Sequence, residues 1–266
     1  MRLTAALLFL TATGVAIAQP TVGGVVNGAS FVPGQAIAPG SLISIFGTKL
    51  ANSTAAASTI PISTTLAGVT VKFVTGNTTI NAPLAPLLFL QSNQINAVVP
   101  WDLLPGNAAK EVSVIVTNKG VASAQFSVKA AEFSPAIFSI GNLAAVQNVD
   151  GSLAQADGSI PGRTTHPAKI GDVVVIYATG LGPVDKPVAD GAIPPGGKAV
   201  NALHKPSVLF RGHTAQIEFA GLSPQFVGVY QLNVVVPDVV PGDKIPIQLV
   251  LGGIASPGTI TLAVSQ

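Results

Sequence analysis

One sequence pattern occurs twice in this chain, and the recurrence constrains the fold more than any other feature. The segment QINAVVPWDLLPG spans residues 94–106, and QLNVVVPDVVPG spans residues 231–242. Both copies keep the order Gln, Asn, Val-Pro, Asp and Pro-Gly, and Trp101 is the one residue that the first copy adds. Shared order over so many positions predicts a tandem of two related units.

A second pair of matching segments lies upstream of each copy. APGSLISIFGTKL begins at Ala38, and KIGDVVVIYATGL begins at Lys169. The matched pairs are Gly40 and Gly171, Ile45 and Ile176, Phe46 and Tyr177, and Leu50 and Leu181. Because this match is independent of the first, it strengthens the prediction of a duplication.

The composition predicts that both units are built from strands. Hydrophobic residues make up 48% of the chain, charged residues make up 9%, and 28 Gly and 21 Pro interrupt the apolar runs. Short apolar runs between turn residues are typical of antiparallel sandwiches, whereas surface helices need many more charged residues on their outer faces. We therefore predict an all-β protein with two tandem immunoglobulin-like β-sandwich domains of about seven strands each.

The N-terminal segment predicts export. Residues 1–18 combine Arg2, an apolar run and the small-residue pattern Ala16-Ile17-Ala18, which is typical of a cleaved signal peptide. An uncleaved anchor is the alternative, although the apolar run is short for a bilayer span. We expect the first sandwich over residues 19–133 and the second over 134–266, with a secreted location in the periplasm, at the cell surface or outside the cell.

Charge and cysteine content narrow the classes of partner. The chain has no cysteine, so each exported unit has to be stabilised by its own hydrophobic core. The formal net charge is +2 and there is no basic cluster, which argues against nucleic acid as a partner. We expect a protein or a polysaccharide at the cell envelope or outside it, no membrane span in the mature chain, and no cofactor. The oligomeric state stays open.

Several segments resemble a known family. NGASF, APGSLISIFGTKLA, APLLFLQSNQINAVVP, NVDGS, AKIGDVVVIYATGLGPV and GVYQLNVVVP are similar to the uncharacterised C-terminal domain family that is abundant in Acidobacteria and first described in Solibacter. The repeated units also resemble immunoglobulin-like folds of the IPT/TIG kind. These resemblances imply β-sandwiches with binding or spacer roles, and they transfer no catalytic residue because the family has no established activity.

The residue types that support catalysis do not form a recognisable set. The histidines, His166, His204 and His213, lie beside proline or in a turn, and no serine lies in a G-x-S-x-G elbow. Asp102 and Asp238 follow Val-Pro in both repeats, and an acid that recurs in this way favours a structural task over glycoside hydrolysis. We therefore predict no catalytic residue, with a hydrolase kept as an alternative.

The segment NVDGSLAQADGS is a weak candidate for calcium. Asn148, Asp150 and Asp157 offer oxygen ligands there. The spacing differs from that of an EF-hand, and Asp-Gly is a common hairpin turn. We therefore predict turns here and no metal site.

Trp101 is a possible ligand contact. It is the sole tryptophan, and it interrupts the repeat. An exposed aromatic ring can stack on a sugar or anchor a protein interface. The alternative, which we favour, is that Trp101 packs at the junction of the two units.

The remaining repeated residues are predicted to be structural. Glutamine or asparagine side chains that face inward in these strands have to be hydrogen-bonded. We expect the four amides to point outward or to brace the neighbouring turn, and a ligand site is the alternative. The predicted set consists of Gln94, Asn96, Pro100, Asp102, Gln231, Asn233, Pro237 and Asp238.

The sequence as a whole favours a non-enzymatic interaction or structural module over a catalyst. Such a module would present sheet faces, edge strands or end loops to its partner. The alternative from the ligand-binding class is a carbohydrate-binding module that uses Trp101.

Overall fold

The computed structural model describes residues 19–76, 82–104 and 108–266. The predicted signal peptide, residues 1–18, and the Pro105-Gly106 turn of the first repeat lie outside the described residues. The described residues form strands and two short 3₁₀ turns, Trp101–Leu103 and Pro195–Gly197. In these ranges no helix has the length and the apolar character that crossing a membrane requires.

The first unit consists of two sheets. One sheet has the strand order β1-β2-β6-β5-β3, and the other has β4-β7-β8, with β9 also paired to β7. The strands are β1 (Thr21–Asn27), β2 (Leu42–Thr48), β3 (Ala55–Ala56), β4 (Val69–Val74), β5 (Leu87–Gln91), β6 (Gln94–Val98), β7 (Lys110–Asn118), β8 (Val121–Ala122) and β9 (Phe126–Ala130).

The second unit consists of the next two sheets and carries additional two-residue strands. The strands are β10 (Ala136–Ile137), β11 (Ser139–Ile140), β12 (Leu143–Ala144), β13 (Val146–Gln147), β14 (Leu153–Ala154), β15 (Thr165–His166), β16 (Ala168–Lys169), β17 (Val173–Thr179), β18 (Ser207–Phe210), β19 (His213–Thr214), β20 (Ile217–Leu222), β21 (Tyr230–Val235), β22 (Gly242–Leu251), β23 (Ile254–Ala255) and β24 (Ile260–Ser265). Its sheets run β15-β14-β13-β17-β21-β20 and β11-β12-β24-β22-β18-β19.

The strand order confirms the predicted fold class. An immunoglobulin sandwich of the constant type places strands A, B, E and D in one sheet and C, F and G in the other. In the first unit β1-β2-β6-β5 and β4-β7-β9 occupy these places, and in the second unit β13-β17-β21-β20 and β18-β22-β24 do so. The protein is therefore all-β, with two immunoglobulin-like sandwiches in tandem.

The two copies of the repeated segment lie at the same place in their sheets. Strand β6 runs between β2 and β5, with Ile45 paired to Ile95, and β21 runs between β17 and β20, with Ile176 paired to Leu232. A β-bulge interrupts the neighbouring ladder in both units, at Leu88 and at Glu218. Equal registers on both sides of the segment show that the repetition in sequence is a repetition of structure.

Each sandwich has its own apolar core. The first core packs Ile45, Phe73 and Val114 from facing sheets, and the second packs Ile176, Phe210 and the other buried residues of its sheets. Alternation accounts for this arrangement, because Val112, Val114 and Val116 of β7 are buried while the residues between them are more exposed. The many apolar positions of the sequence are thus used on two separate interiors.

The turn before the last strand of each unit contains a matched serine. The Ser123 Oγ accepts a hydrogen bond from the Val116 N–H at 3.1 Å, and the Ser256 Oγ accepts one from the Leu249 N–H at 3.0 Å. Both bonds are buried, so each satisfies a backbone donor that water does not reach.

We predict that Ser123→Ala and Ser256→Ala each lower the free energy of unfolding by about 1–2 kcal/mol, because each change leaves a buried N–H unpaired. Urea unfolding followed by circular dichroism measures the effect. Ser53→Ala, at an exposed position, is the control and should be neutral. A neutral result at both turn positions would contradict the structural role of the serines.

Candidate functional site

The repeated amides bond to each other within their strands. Gln94 Nε2 donates to Asn96 Oδ1 at 2.8 Å, and Gln231 Nε2 donates to Asn233 Oδ1 at 2.9 Å. In the first unit Ser44 Oγ adds a second bond to Asn96 at 3.0 Å. All four amide side chains are half-buried. The glutamine donors and the asparagine acceptors are therefore engaged along the strand.

The other repeated residues lie just beyond these strands. Asp102 lies in the 3₁₀ turn after Pro100, and Asp238 follows Pro237 after β21. Both aspartates are exposed, Pro100 is buried and Pro237 is half-buried. Their predicted role in the turns stays a prediction.

A buried threonine joins the two units. Thr179 Oγ1 accepts a hydrogen bond from the Leu42 N–H of the first unit at 2.9 Å and donates one to the Gly228 carbonyl of the second at 2.8 Å. Thr179 is fully buried. A hydroxyl that bridges two backbone groups in the interior fixes the start of β2 and the turn before β21 at this junction, which we call the seam.

Further hydrogen bonds cross the seam at its sides. Asn27 Nδ2 donates to the Ser134 carbonyl at 2.9 Å, and Gln35 Nε2 donates to Ser134 Oγ at 3.0 Å. The Ile62 N–H donates to the Gly191 carbonyl at 2.8 Å. These bonds and the Thr179 bridge hold the sandwiches in one orientation.

The structure places Trp101 at the seam. Its ring packs against the core of the second unit, and it covers Gly40 so closely that a Cβ there would lie 2.1 Å from the ring. The backbone N–H of Trp101 donates to Asp190 Oδ1 at 2.9 Å. Burial raises the pKa of Asp190, the Trp101 hydrogen bond opposes this change, and the charge of Asp102 adds to it. Trp101 is half-buried, so part of the ring stays accessible.

An apolar groove opens at another part of the seam. Its volume is about 690 Å³, and we call it the seam groove. Leu42, Ile62 and Leu88 line it from the first unit, and Phe226 and Val229 line it from the second. Leu88 occupies the bulge of β5, whereas exposed Glu218 occupies the matched bulge of β20. The same repeat position is thus apolar where it meets the other unit and charged where it meets water.

A polar cluster holds the loops at the start of the second unit. His166 Nε2 lies 2.8 Å from Asp150 Oδ2, and Ser152 Oγ donates to Asp150 Oδ1 at 2.7 Å. Asn148 Nδ2 donates to Ser152 Oγ at 3.0 Å and to the His166 carbonyl at 3.1 Å. The cluster therefore joins the turn after β13 to the short strand β15.

The order of groups in this cluster differs from that of a nucleophile triad. In a triad the histidine takes the proton of the serine and the carboxylate orients the histidine. Here the serine hydroxyl donates to the carboxylate instead. The hydrogen bond to Asp150 raises the pKa of His166, and the same bond holds the pKa of Asp150 well below its usual range. The arrangement suits an ion pair that pins two loops.

The hydrogen bonds of the cluster also show how the proposed calcium ligand Asp150 is used. The Asp150 carboxylate already accepts bonds from His166, from Ser152 Oγ and from the Ser152 N–H. Among the described residues, no group of three or more His, Cys, Asp or Glu side chains could hold a metal ion.

The two other histidines lie apart from this cluster. His204 Nε2 lies 3.3 Å from Glu132 Oε1, and its ring meets Phe133 edge-on at 5.1 Å between centroids. His213 lies exposed in β19.

The residues that sequence reasoning missed are Thr179, Asp190 and Ser134, because no local pattern shows which distant backbone group a side chain will meet.

Comparisons with known proteins add little to this description. No family model and no curated protein matches the chain. Solved structures that are similar over 93% of this chain include a chimeric titin Z1Z2 carrying a KLER peptide from decorin (14% identity, 97% of that chain, TM-score 0.19), the BSP domain of a biofilm-associated protein (11%, 30%, 0.24) and the C-terminal domain of the Streptococcus agalactiae AgI/II polypeptide BspA (10%, 100%, 0.18). TM-scores this low carry no argument, so the immunoglobulin-like assignment rests on the strand order.

We predict that Asp150→Asn lowers the pKa of His166 toward 6.5, because the carboxylate is the main cause of its elevation. NMR titration of the His166 ring measures this change. Asp157→Asn is the control, since Asp157 acts on His166 only as a weak distant charge. An unchanged pKa in Asp150→Asn would contradict the ion pair.

The sign of the linked stability follows from the same shift. Because folding raises the pKa of His166 and lowers that of Asp150, the pair stabilises the fold fully between pH 3.8 and pH 6.5. This contribution is lost as the pH rises through the folded-state pKa of His166 or falls through that of Asp150.

We also predict that Thr179→Val destabilises the protein by about 2–4 kcal/mol, because it strands the Leu42 N–H and the Gly228 carbonyl without partners. Thr179→Ser keeps the hydroxyl and is the matched control. Urea unfolding, with fluorescence of Trp101 as the seam probe, measures both. Equal stability of the two variants would show that the bridge is dispensable.

Proposed function

We propose that this protein is a non-enzymatic, exported interaction or structural module that acts at the cell surface or outside the cell. The observation that carries the proposal is the seam, where buried hydrogen bonds and the Trp101 ring fix two immunoglobulin-like sandwiches in one orientation. A fixed pair of sandwiches presents loops and strand edges from both units in a constant spatial relation.

The use of polar side chains supports the same proposal. The four repeated amides, Thr179 and the cluster around Asp150 are engaged in bonds that hold strands or loops. A catalytic site needs polar groups whose bonding capacity is directed at a substrate. The structure therefore supports a binding or spacing role better than a hydrolytic one.

The location is part of the proposal. The signal-peptide pattern of residues 1–18 supports export, and a chain without cysteine keeps the same covalent structure in an oxidising compartment. The resemblance to the acidobacterial family and to IPT/TIG folds is consistent with an exported binding module, and it belongs to the same proposal.

We predict that immobilised protein of residues 19–266 retains a component of a bacterial envelope or culture supernatant saturably and returns it with unchanged mass, because a binding module releases what it binds without chemical change. Mass spectrometry and glycan sizing of the eluate measure this. Heat-unfolded protein is the control. Cleaved products that disappear in His166→Ala would overturn the proposal in favour of a hydrolase, and a lack of saturable retention would reject the interaction role.

Carbohydrate binding at Trp101 is the second candidate, and the accessible part of its half-buried ring favours it. We predict for this candidate that a soluble polysaccharide retards the protein in affinity gels and that Trp101→Ala abolishes the retardation. Phe226→Ala removes another exposed aromatic ring and is the control. Equal mobility of Trp101→Ala and the original protein would exclude this site.

A further inference from the structure

The two units differ at the outer edge of their last strand. In the second unit the hairpin of β11 and β12 covers the edge of β24, and Leu143 pairs in parallel with Thr261. The Thr261 N–H donates to the Asn142 carbonyl at 2.8 Å. Gln155 Nε2 donates hydrogen bonds both to the Ala144 carbonyl of the hairpin and to the Thr261 carbonyl of β24. Residues 138–145 thus add a strand to this edge.

Among its described residues, the first unit has no such hairpin at the matched place. In the second unit, residues 138–145 lie between β10 and β13, which both pair with β17. In the first unit the single strand β1 takes the place of β10 and β13, and it carries Gly23 and Gly24 where the hairpin would be. A groove of about 380 Å³ lies between β1 and β9. Phe126, Ser127 and Val128 of β9 line it opposite the two glycines.

The register identifies Ser127 as the counterpart of Thr261. Phe126 pairs with Val114, and Ile260 pairs with Ile247. Val114 and Ile247 lie two residues before the matched Val116 and Leu249, which bond to Ser123 and Ser256. Ser127 and Thr261 follow as the next residues of β9 and β24. The repeat therefore gives an internal reference for what this edge can bind.

The backbone of Ser127 is directed into the groove. The Lys129 carbonyl accepts a hydrogen bond from the Ile37 N–H at 2.9 Å, so the backbone N–H and C=O of Lys129 point away from β7. Backbone groups alternate in direction along an antiparallel strand, and those of Ser127 therefore point the same way. Within the described residues, the pairing on this outer edge is the bridge between Ile37 and Ala130.

The side chains around the groove indicate which strand would fit. Val25, Phe126 and Val128 give it an apolar floor, and the absent side chains of Gly23 and Gly24 leave room for a backbone. Glu111 and Lys129 face each other at the rim, and their charges offset one another. A strand with small or aliphatic side chains and no net charge fits this lining, as Leu143 and Ala144 do in the second unit.

We propose that the groove between β1 and β9 binds an extended segment of a different protein, which adds as a parallel strand to β9 opposite Ser127. This inference rests on the proposed interaction function and deepens it by naming a surface and the chemistry of its partner. Strand addition at a free edge supplies main-chain hydrogen bonds, and the apolar floor selects the side chains.

A second copy of this chain is a poor source of the strand. Its best-matched segment is the hairpin of β11 and β12, which already covers β24. Donating that hairpin would expose one edge in order to cover another, and the number of paired edges would not rise. The occupant therefore comes from a different protein.

The test uses protein of residues 19–266 and a synthetic peptide with the sequence of residues 139–147, SIGNLAAVQ, as the probe. We expect the peptide to shift the backbone amide NMR signals of residues 126–129 and 23–26. An Ala144→Pro peptide is the matched control, because it lacks the N–H that a parallel strand donates to its neighbour.

Two protein variants locate the binding. Ser127→Pro removes the outward N–H and leaves the N–H groups that pair with β7, and Ser127→Thr restores the residue type of the second unit. We expect Ser127→Pro to weaken peptide binding roughly tenfold, as the loss of one or two hydrogen bonds implies, and Ser127→Thr to retain it. Gly24→Val is the second variant, because Gly24 lines the groove and an added Cβ there meets no atom within 4 Å, so the fold accommodates the larger side chain.

The outcomes separate this inference from the proposed function. Absent amide shifts in β9, or equal peptide affinity in the original protein, Ser127→Pro and Gly24→Val, would overturn the strand-addition site. Saturable retention of an envelope component that these variants keep would leave the interaction function standing without this site. If the protein forms a dimer and Ser127→Pro makes that dimer dissociate, a second copy occupies the groove. This result also overturns the proposal.

Discussion

The ladder between the second strand and the repeated Gln-Asn strand fixes the geometry of both units. In each sheet this pair has further strands on both sides, with Ile45 opposite Ile95 and Ile176 opposite Leu232. A shift of one residue would turn every buried side chain of the strand toward water, so burial holds the register. With the central pair fixed, the bulges, the serine turns and the last strands of the two units fall at matched positions.

Because the frame is shared, the differences between the copies show where the units have specialised. Trp101 is added in the first copy alone, and it covers Gly40 and reaches the core of the second unit. Leu88 replaces a charged residue where the first unit meets the second. In the part of the chain that the structure describes, a hairpin like that of β11 and β12 occurs in the second unit alone. The first two differences build the seam. The third covers an edge whose counterpart at Ser127 has no paired strand among the described residues.

The sequence could predict the parts of the structure that depend on local pattern. Alternation and turn residues indicated strands such as β4 and β7, and the matched segments indicated two equivalent units. The contacts of Thr179 and Asp190 could not be predicted, because their partners, Leu42 and Trp101, are distant in the chain and no period relates them. The hairpin of β11 and β12 was missed for a similar reason, since two-residue strands are too short to show alternation.

The seam also explains how so few charges suffice for a two-domain chain. Connected domains usually move relative to one another unless their interface is extensive or well bonded. Here neutral side chains, those of Thr179, Asn27 and Gln35, bond to groups of the opposite unit. The carboxylates of Asp190 and Glu132 add contacts to Trp101 and His204 across the same junction. Because charged residues make up only 9% of the chain, the recognition that we propose depends on shape, apolar contact and main-chain pairing more than on electrostatic attraction.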